Sequence, residues 1–198
     1  MNEADRPSKS DLTRTAILWA AVERFGRDGY RSTSVVDVAR DVKLSGTATY
    51  AYFSSKEELF IAAVDEDAAR LIDEGVSSVL GDTAGSAWPD TLILTLLDAL
   101  PRHPLARRVL AGLEPEFTVR LLHIPALEQL RKAVTEKLSG QQLAGEVRSE
   151  VDPASMANGL ITIVLSLLMS VVQVGRETAV ALGGDVSAVL SAALDPKN

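Results

Sequence analysis

Apolar residues recur at the spacing of an α-helix along almost the whole chain. The first set falls at positions i, i+3, i+4 and i+7, namely Leu18, Ala21, Val22 and Phe25. This pattern is one face of an amphipathic helix, which is predicted to begin near Asp11 or Thr13 and to end between residues 26 and 29. No stretch combines two-residue alternation with turn signals, so the predicted fold class is all-α.

Two short helices with a very tight connection are predicted next. The first covers residues 34–42 and opens with Ser34, a favourable N-cap residue. Only Lys43 and Leu44 separate it from a helix over residues 45–53. A tight turn that sets two short helices at a steep angle lets the later one enter the major groove of DNA. The spacing therefore predicts a helix-turn-helix.

The rest of the chain is also predicted to be helical. Ser55 and Glu58 form a capping box that starts a long fourth helix, expected to reach residue 80. A loop is expected at residues 81–90, followed by helices that prolines and glycines delimit. These helices cover residues 91–100, 116–138 (with a kink at Pro125), 153–174 and 186–194.

Charge divides the chain into two parts. Residues 1–56 hold nine Lys/Arg against seven Asp/Glu, whereas residues 57–198 hold eleven against twenty. The net charge of −7 argues against a general coat for nucleic acid. A mildly basic head on an acidic body suits a protein that places only its head against phosphates.

Several function classes are excluded or disfavoured by composition. The chain has no cysteine, which excludes disulfides and cysteine chemistry and fits a reducing cytoplasm. His103 and His123 lack metal-ligand spacing, and no catalytic constellation is apparent, so we predict no metal, cofactor or enzymatic activity. The polar N-terminus does not resemble a signal peptide. The apolar stretch at residues 159–175 contains polar side chains, so a buried helix is predicted rather than a membrane span.

Many residues between positions 13 and 66 occur at a characteristic spacing. They are Ala21, Phe25, Gly29, Tyr30, Thr33, Ser34, Val35, Val38, Ala39, Ser45, Thr47, Tyr50, Tyr52, Phe53 and the run from Ser55 to Phe60. In this pattern the chain resembles the TetR family of bacterial helix-turn-helix transcriptional regulators. The resemblance implies an N-terminal three-helix DNA-binding domain (residues 1–56) and a larger helical domain for effector binding and dimerisation (residues 57–198).

The resemblance also implies which residues contact DNA. They are Thr33, Ser34, Lys43, Ser45, Gly46, Thr47, Thr49, Tyr50, Tyr52 and Lys56, with Lys9 and Arg14 in an N-terminal arm. Tyr50, Tyr52 and Lys56 are expected at phosphates. Lys43 stands where the family usually has a glycine, so either it adopts a positive φ at about 1–2 kcal/mol or the turn differs. Thr47 and Thr49 replace the family's usual glycine and apolar residue.

A ligand cavity and a dimer interface are implied for the C-terminal domain. Candidate cavity residues are Trp88, Leu92, Leu96, Phe117, Leu121, Leu122, His123 and Met156, around a moderately apolar effector. The helix at residues 153–174 is apolar on more than one face, which predicts that one side packs against its own domain and the other against a partner. In a homodimer the interface residues would be Leu160, Val164, Leu167, Leu168, Val171 and Val189. A helix central to a monomer is the alternative.

The function implied by the resemblance is that of a cytoplasmic repressor without membrane partners. Its dimer would bind a pseudo-palindromic DNA operator, and a small-molecule effector would release it by displacing the long fourth helix. Two alternatives remain open at the level of the sequence. One is a helical ligand-binding or interaction protein that has lost operator binding. The other is a small-molecule enzyme.

Overall fold

The described part of the chain consists of helices joined by short turns. The computed structural model describes residues 8–76 and 88–195, without the side chains of residues 176 and 178–183. The helices are α1 (Lys9–Ser32), α2 (Val35–Asp41), α3 (Gly46–Tyr50), α4 (Lys56–Val76), α5 (Trp88–Ala99), α6 (Pro104–Leu110), α7 (Thr118–Leu121), α8 (Pro125–Leu143), α9 (Pro153–Val174) and α10 (Arg176–Leu194). Short 3-10 turns at Leu100–Arg102 and Pro115–Phe117 precede α6 and α7. Within the described residues there is no strand, so the all-α prediction is confirmed.

The N-terminal core forms where α1 crosses α4. The predicted apolar face of α1 is fully buried there, against Leu59, Phe60, Ala63 and Val64 of α4. Ser8 and Asp11 form a capping box, so α1 begins at Lys9, earlier than predicted. The helical pattern breaks at Gly29, which has a φ of 82°. α2 and α3 pack on this core and complete the three-helix unit that the sequence predicts.

The C-terminal core lies between α5, α8 and α9. Its buried residues include Trp88, Leu92, Val134, Leu138 and Ile161. The Trp88 indole N–H donates to Oε1 of Gln141 at 3.0 Å, so the one polar atom of this side chain is satisfied in the core. α4 contributes to both cores, which joins the two parts of the chain through one continuous helix.

Three predicted segment boundaries are wrong. α5 begins at Trp88, so the loop expected to reach residue 90 ends earlier, and Pro89 lies in the first turn of the helix, as the sequence indicates for this proline. The helix predicted over residues 116–138 is interrupted between α7 and α8, since the ring of Pro125 begins a new helix instead of kinking an old one. The Gly183–Gly184 pair does not introduce a helix but lies inside α10. Residues 77–87, which include the predicted end of α4, lie outside the described residues.

α9 is the most apolar long helix of the described chain. By length and composition alone it could span a membrane, although core helices of other proteins pass the same test, and 33% of its apolar window is buried. The prediction assigned one side of this helix to its own domain and the other to a partner, and the single chain buries one side. One face packs on α8 and α5, and the other is exposed. The exposed face includes Gly159, Thr162 and Ser166, and its hydroxyls donate to carbonyls of their own helix.

Candidate DNA interface and effector cavity

α2 and α3 owe their starting points to side-chain caps. The Ser34 hydroxyl accepts from the N–H of Asp37 at 3.2 Å, and the Asp37 carboxylate accepts from the N–H of Ser34. Ser45 caps α3 by accepting from the N–H of Ala48 at 3.1 Å. These bonds satisfy N–H groups that have no partner within the helix. They fix the first residue of both helices, as the sequence predicts.

The turn between α2 and α3 closes with Lys43 in the left-handed region. Lys43 has a φ of 58° and is the one non-glycine residue with positive φ in the described chain. The N–H of Leu44 donates to the Ala39 carbonyl at 2.8 Å, and the N–H of Lys43 donates to the Arg40 carbonyl at 3.0 Å. This pair of bonds is the Schellman arrangement, which usually has glycine at the left-handed position. Of the two outcomes expected for Lys43, the structure shows the strained one.

Replacing Lys43 by glycine should therefore stabilise the protein. We expect Lys43→Gly to raise the free energy of unfolding by about 1 kcal/mol, because glycine reaches this conformation without a steric penalty. Urea denaturation measures the change. Lys43→Ala is the matched control, since it removes the ammonium group but keeps the strained Cβ atom. Equal stability of the glycine and alanine variants would contradict strain at this position.

Five of the predicted DNA-contacting residues, all within or beside α2 and α3, are exposed. They are Ser34, Lys43, Ser45, Thr47 and Tyr50. Tyr50 is 51% exposed. Gly46 and Tyr52 are half-buried. The arrangement presents hydroxyl groups, which suit both phosphates and base edges.

Two predicted DNA contacts are wrong. Thr49 is fully buried, and its hydroxyl donates to the Ser45 carbonyl at 3.4 Å. It occupies the inward face of α3, where the family usually has an apolar residue. Thr33 is only 3% exposed, so Ser34 alone caps α2 at the surface. Sequence reasoning missed Thr49 because threonine occurs on either face of a short helix, and it missed Thr33 because the burial of this residue between α1 and α2 depends on tertiary packing.

Lys56 is held at an aromatic cluster instead of standing free in solvent. Its Nζ lies 4.3 Å from the ring centroid of Tyr30, a cation–π contact. Partial burial lowers the pKa of the Lys56 ammonium, and the charge of Glu114 opposes this shift. The Tyr30 ring in turn meets Phe60 and Phe117 edge to face. The structure shows the ammonium over this ring, and the phosphate contact predicted for Lys56 stays a prediction.

An apolar cavity of about 140 Å³ lies between the helices of the C-terminal part. Its lining comes from α4 to α9: Val64, Ala68, Leu71, Ile72, Leu96, Ala106, Val109, Leu110, Gly112, Thr118, Leu121, Leu122, Ile124, Leu127, Leu130, Ile161, Val164, Leu165, Leu168 and Met169. Among these described residues, Thr118 has the one polar side chain. Gly112, Thr118, Leu122 and Met169 are exposed, so the cavity reaches the surface beside them.

The predicted effector residues divide into two groups. Leu96, Leu121 and Leu122 line the cavity, whereas Trp88, Leu92, Phe117 and Met156 do not. Trp88 and Leu92 fill the core instead. The prediction for His123 is wrong, because its side chain is 73% exposed and lies near Glu128. The sequence could not reveal the contribution of α4 and α6, since their lining residues resemble ordinary core positions.

Most of the predicted dimer-interface residues are buried inside their own chain. Leu160, Val164, Leu167 and Leu168 are between 2% and 7% exposed, and two of them line the cavity. These four predictions are wrong. Val189 is 63% exposed and Val171 is partly exposed, so both remain available to a partner. An all-round apolar helix does not reveal which of its stripes faces its own core.

A buried polar cluster ties the connector α4 to the start of α6. One oxygen of Asp67 accepts from the N–H groups of Leu105 and Ala106 at 3.0 and 2.8 Å. Its other oxygen lies 2.9 Å from Nδ1 of His103, and both side chains are 1% exposed. The Asp67 carboxylate thus caps α6 from a different helix. Sequence reasoning assigned His103 no partner, because residues 36 positions apart carry no local signal.

A second polar contact joins α6 to the end of α1. Nε of Arg108 donates to Oε1 of Glu114 at 2.6 Å, and the N–H of Tyr30 donates to the same oxygen at 3.0 Å. Gly29 has a φ of 82°, which favours glycine, and a Cβ atom there would displace the Arg108 guanidinium. Because α6 also lines the cavity, one short helix contacts both the cavity and the DNA-binding unit.

Known proteins are similar to this chain in sequence and in fold. The family model described as "Bacterial regulatory proteins, tetR family" matches residues 17–63. The HTH-type transcriptional repressor NicS of Pseudomonas putida is 35% identical over 155 residues, which are 78% of this chain and 68% of NicS.

Solved structures share the fold over nearly the full length. A TetR-family regulator from Cytophaga hutchinsonii superposes with a TM-score of 0.72 at 20% identity, covering 98% of this chain and 100% of that one. FadR of Bacillus subtilis, solved with stearoyl-CoA, has a TM-score of 0.69 at 19% identity, over 91% and 98% of the two chains. With the helix-turn-helix geometry, these similarities lead to one conclusion: the chain belongs to the TetR family and is a transcriptional regulator.

Proposed function

We propose that this regulator is a cytoplasmic repressor whose homodimer binds a pseudo-palindromic DNA operator and is released by an apolar small molecule. The observation that carries the proposal is the exposed surface of Ser45, Thr47 and Tyr50 on a helix that begins at a tight turn. In a helix-turn-helix, side chains at the start of this helix contact base edges. The name of the relative NicS, a repressor, supports the direction of regulation.

The exposed face of α9, together with α10, is our proposed dimer interface. It combines high overall hydropathy with small exposed residues at Gly159, Thr162 and Ser166. Small side chains allow two helices to approach closely. The hydroxyl groups are already bonded within α9, so covering them leaves no polar group unsatisfied. A twofold axis here would place two copies of α3 against two half-sites about one turn of DNA apart.

The cavity is our proposed effector site. The cavity has about the volume of a void that holds benzene. A larger ligand must therefore extend out of the opening at Gly112 and Met169 or widen the cavity. An apolar lining with one hydroxyl favours a hydrocarbon-rich ligand without buried charge. Stearoyl-CoA in the FadR structure includes a long hydrocarbon chain, which is consistent with this ligand class.

Release would follow from movement of α4 and α6, which line the cavity and also pack on α1. A ligand that wedges these helices apart would alter the position of α1 through Tyr30 and Glu114. Because α3 packs on α2 and α2 packs on α1, the spacing of the two reading helices would change. The ligand weakens DNA binding only to the extent that it binds more tightly to the conformation with the altered spacing than to the DNA-binding conformation.

A binding selection with purified protein tests DNA recognition. The protein is incubated with a library of randomised DNA duplexes, and bound duplexes are sequenced after several rounds. We expect an enriched inverted repeat whose half-sites are centred about one helical turn apart, bound by a dimer in sedimentation analysis. Binding without any enriched sequence, or by a monomer, would contradict the proposal.

Filling the cavity tests the effector site separately. Small apolar compounds are first screened by thermal shift, where a ligand at 100 times its Kd stabilises the protein by about 2.7 kcal/mol. A compound from this screen should weaken operator binding by the wild type. Ala68→Leu adds three carbon atoms inside the cavity and should keep operator binding while abolishing the response to the compound. Gln129→Leu adds the same side chain on the exposed side of α8 and should respond like the wild type.

A further inference from the structure

The reading helix lacks the side chains that usually identify purines. Guanine is commonly recognised by Arg or Lys, and adenine by Asn or Gln, through paired hydrogen bonds. α3 has the sequence GTATY, and every residue of α2 and α3 is described, so no such side chain lies on the reading helix. Arg40, on α2, is engaged by Asp37 at 3.1 Å. On α3 itself, discrimination at base edges is therefore left to smaller groups.

Val36 places an apolar group beside the start of α3. It is 44% exposed, on the first turn of α2. Its Cγ2 lies 3.0 Å from the point where a Cβ atom of residue 46 would stand. Because residue 46 is glycine, no side chain covers Val36 from α3. A single exposed valine is common on protein surfaces. Val36, however, lies beside the first residue of α3, the helix that is proposed to enter the groove.

Thr47 adds a second methyl group next to this position. It follows Gly46 in the first turn of α3 and is exposed. The hydroxyl of the preceding polar residue, Ser45, is already used as the cap of α3. Two side chains with methyl groups, Val36 of α2 and Thr47 of α3, are therefore exposed near the start of the reading helix. Gly46, at this start, has no side chain to cover Val36.

We propose that Val36 and the methyl group of Thr47 contact thymine methyl groups in each half-site. The thymine C5-methyl is the apolar feature of the major groove, and apolar side chains recognise it by direct contact. This selects thymine over cytosine, which lacks the methyl group. The inference rests on the proposed operator binding and adds the residues that determine base preference.

Deoxyuridine substitution tests the inference because it removes only the methyl group of thymine. In the duplex enriched by the binding selection, each half-site thymine is replaced in turn. We expect the wild type to lose about fourfold in affinity per contacted methyl group, the value of burying one such group. Val36→Ala removes both γ-methyl groups and should abolish the preference at one position. Thr47→Ser should do so at another.

The outcomes separate this inference from the proposed function. Val119→Ala, the same substitution at a residue 74% exposed on α7, should keep the full thymine preference. Urea denaturation checks that each variant is folded before its affinity is compared. An enriched operator that binds equally well with uracil, or a Val36→Ala variant that discriminates like the wild type, overturns the inference and leaves operator binding intact. If no sequence is enriched, operator binding itself fails.

Discussion

Asp67→Ala is expected to lower the free energy of unfolding by about 3–5 kcal/mol, the largest effect of any single substitution considered. The Asp67 carboxylate is 1% exposed and accepts from two backbone N–H groups at the start of α6. It also lies at hydrogen-bond distance from His103, which is equally buried. Alanine would leave these three groups without a partner and without access to water. Urea denaturation, with the same slope against denaturant for both proteins, measures the loss.

Two further variants distinguish the cap from a simple change of charge. Asp67→Asn keeps an acceptor oxygen of the same shape but turns an N–H₂ group towards a donor, so an intermediate loss is expected. Asp98→Asn removes a carboxylate whose side chain is 74% exposed and should change stability by less than about 0.5 kcal/mol. If Asp67→Ala is no less stable than Asp98→Asn, the buried capping contact does not contribute as the distances indicate.

Tyr50→Ala is expected to weaken operator binding by about 100-fold. A hydrogen bond from its hydroxyl to a phosphate is charge-assisted and contributes about 1.5 kcal/mol, and a dimer has two such bonds. Because Tyr50 is 51% exposed, its loss should change the stability of the protein very little. Fluorescence anisotropy with the selected operator measures the affinity.

Comparison with phenylalanine assigns the effect to the hydroxyl. Tyr50→Phe keeps the ring and should lose most of the same affinity, with an unchanged salt dependence because no positive charge is removed. Val119→Ala, on α7, should bind like the wild type. A Tyr50→Ala variant that binds the operator normally would mean that α3 is not the reading helix.

Local signals account for the parts of the fold that were predicted correctly. Ser34 and Ser45 cap their helices through bonds that span only three residues, so the start of each helix is readable from the chain. The same holds for Ser55, whose hydroxyl accepts from the N–H of Glu58 at 3.0 Å. In this capping box, however, Glu58 reaches back to Ser54 instead of Ser55.

The candidate sites were predicted less completely than the helices. On the DNA side, the surface at Thr47 and Tyr50 was expected, and the burial of Thr49 was not. A five-residue helix is too short for its periodicity to identify an inward face. In the C-terminal part, Leu96 and Leu121 line the cavity as expected, but α4 and α6 contribute residues that no motif marks.

What the sequence determined by itself is the set of interactions between near neighbours: helix periodicity, caps, the two-residue turn and the family pattern around it. Only the tertiary structure decided which stripe of α9 is buried and where the cavity lies. It also decided that Asp67 caps α6 and lies at hydrogen-bond distance from His103. The physical reason is that hydrogen bonds within a turn act over three or four residues, whereas burial depends on segments far apart in the chain. A leucine on an all-round apolar helix has the same local chemistry on either side until its neighbours are in place.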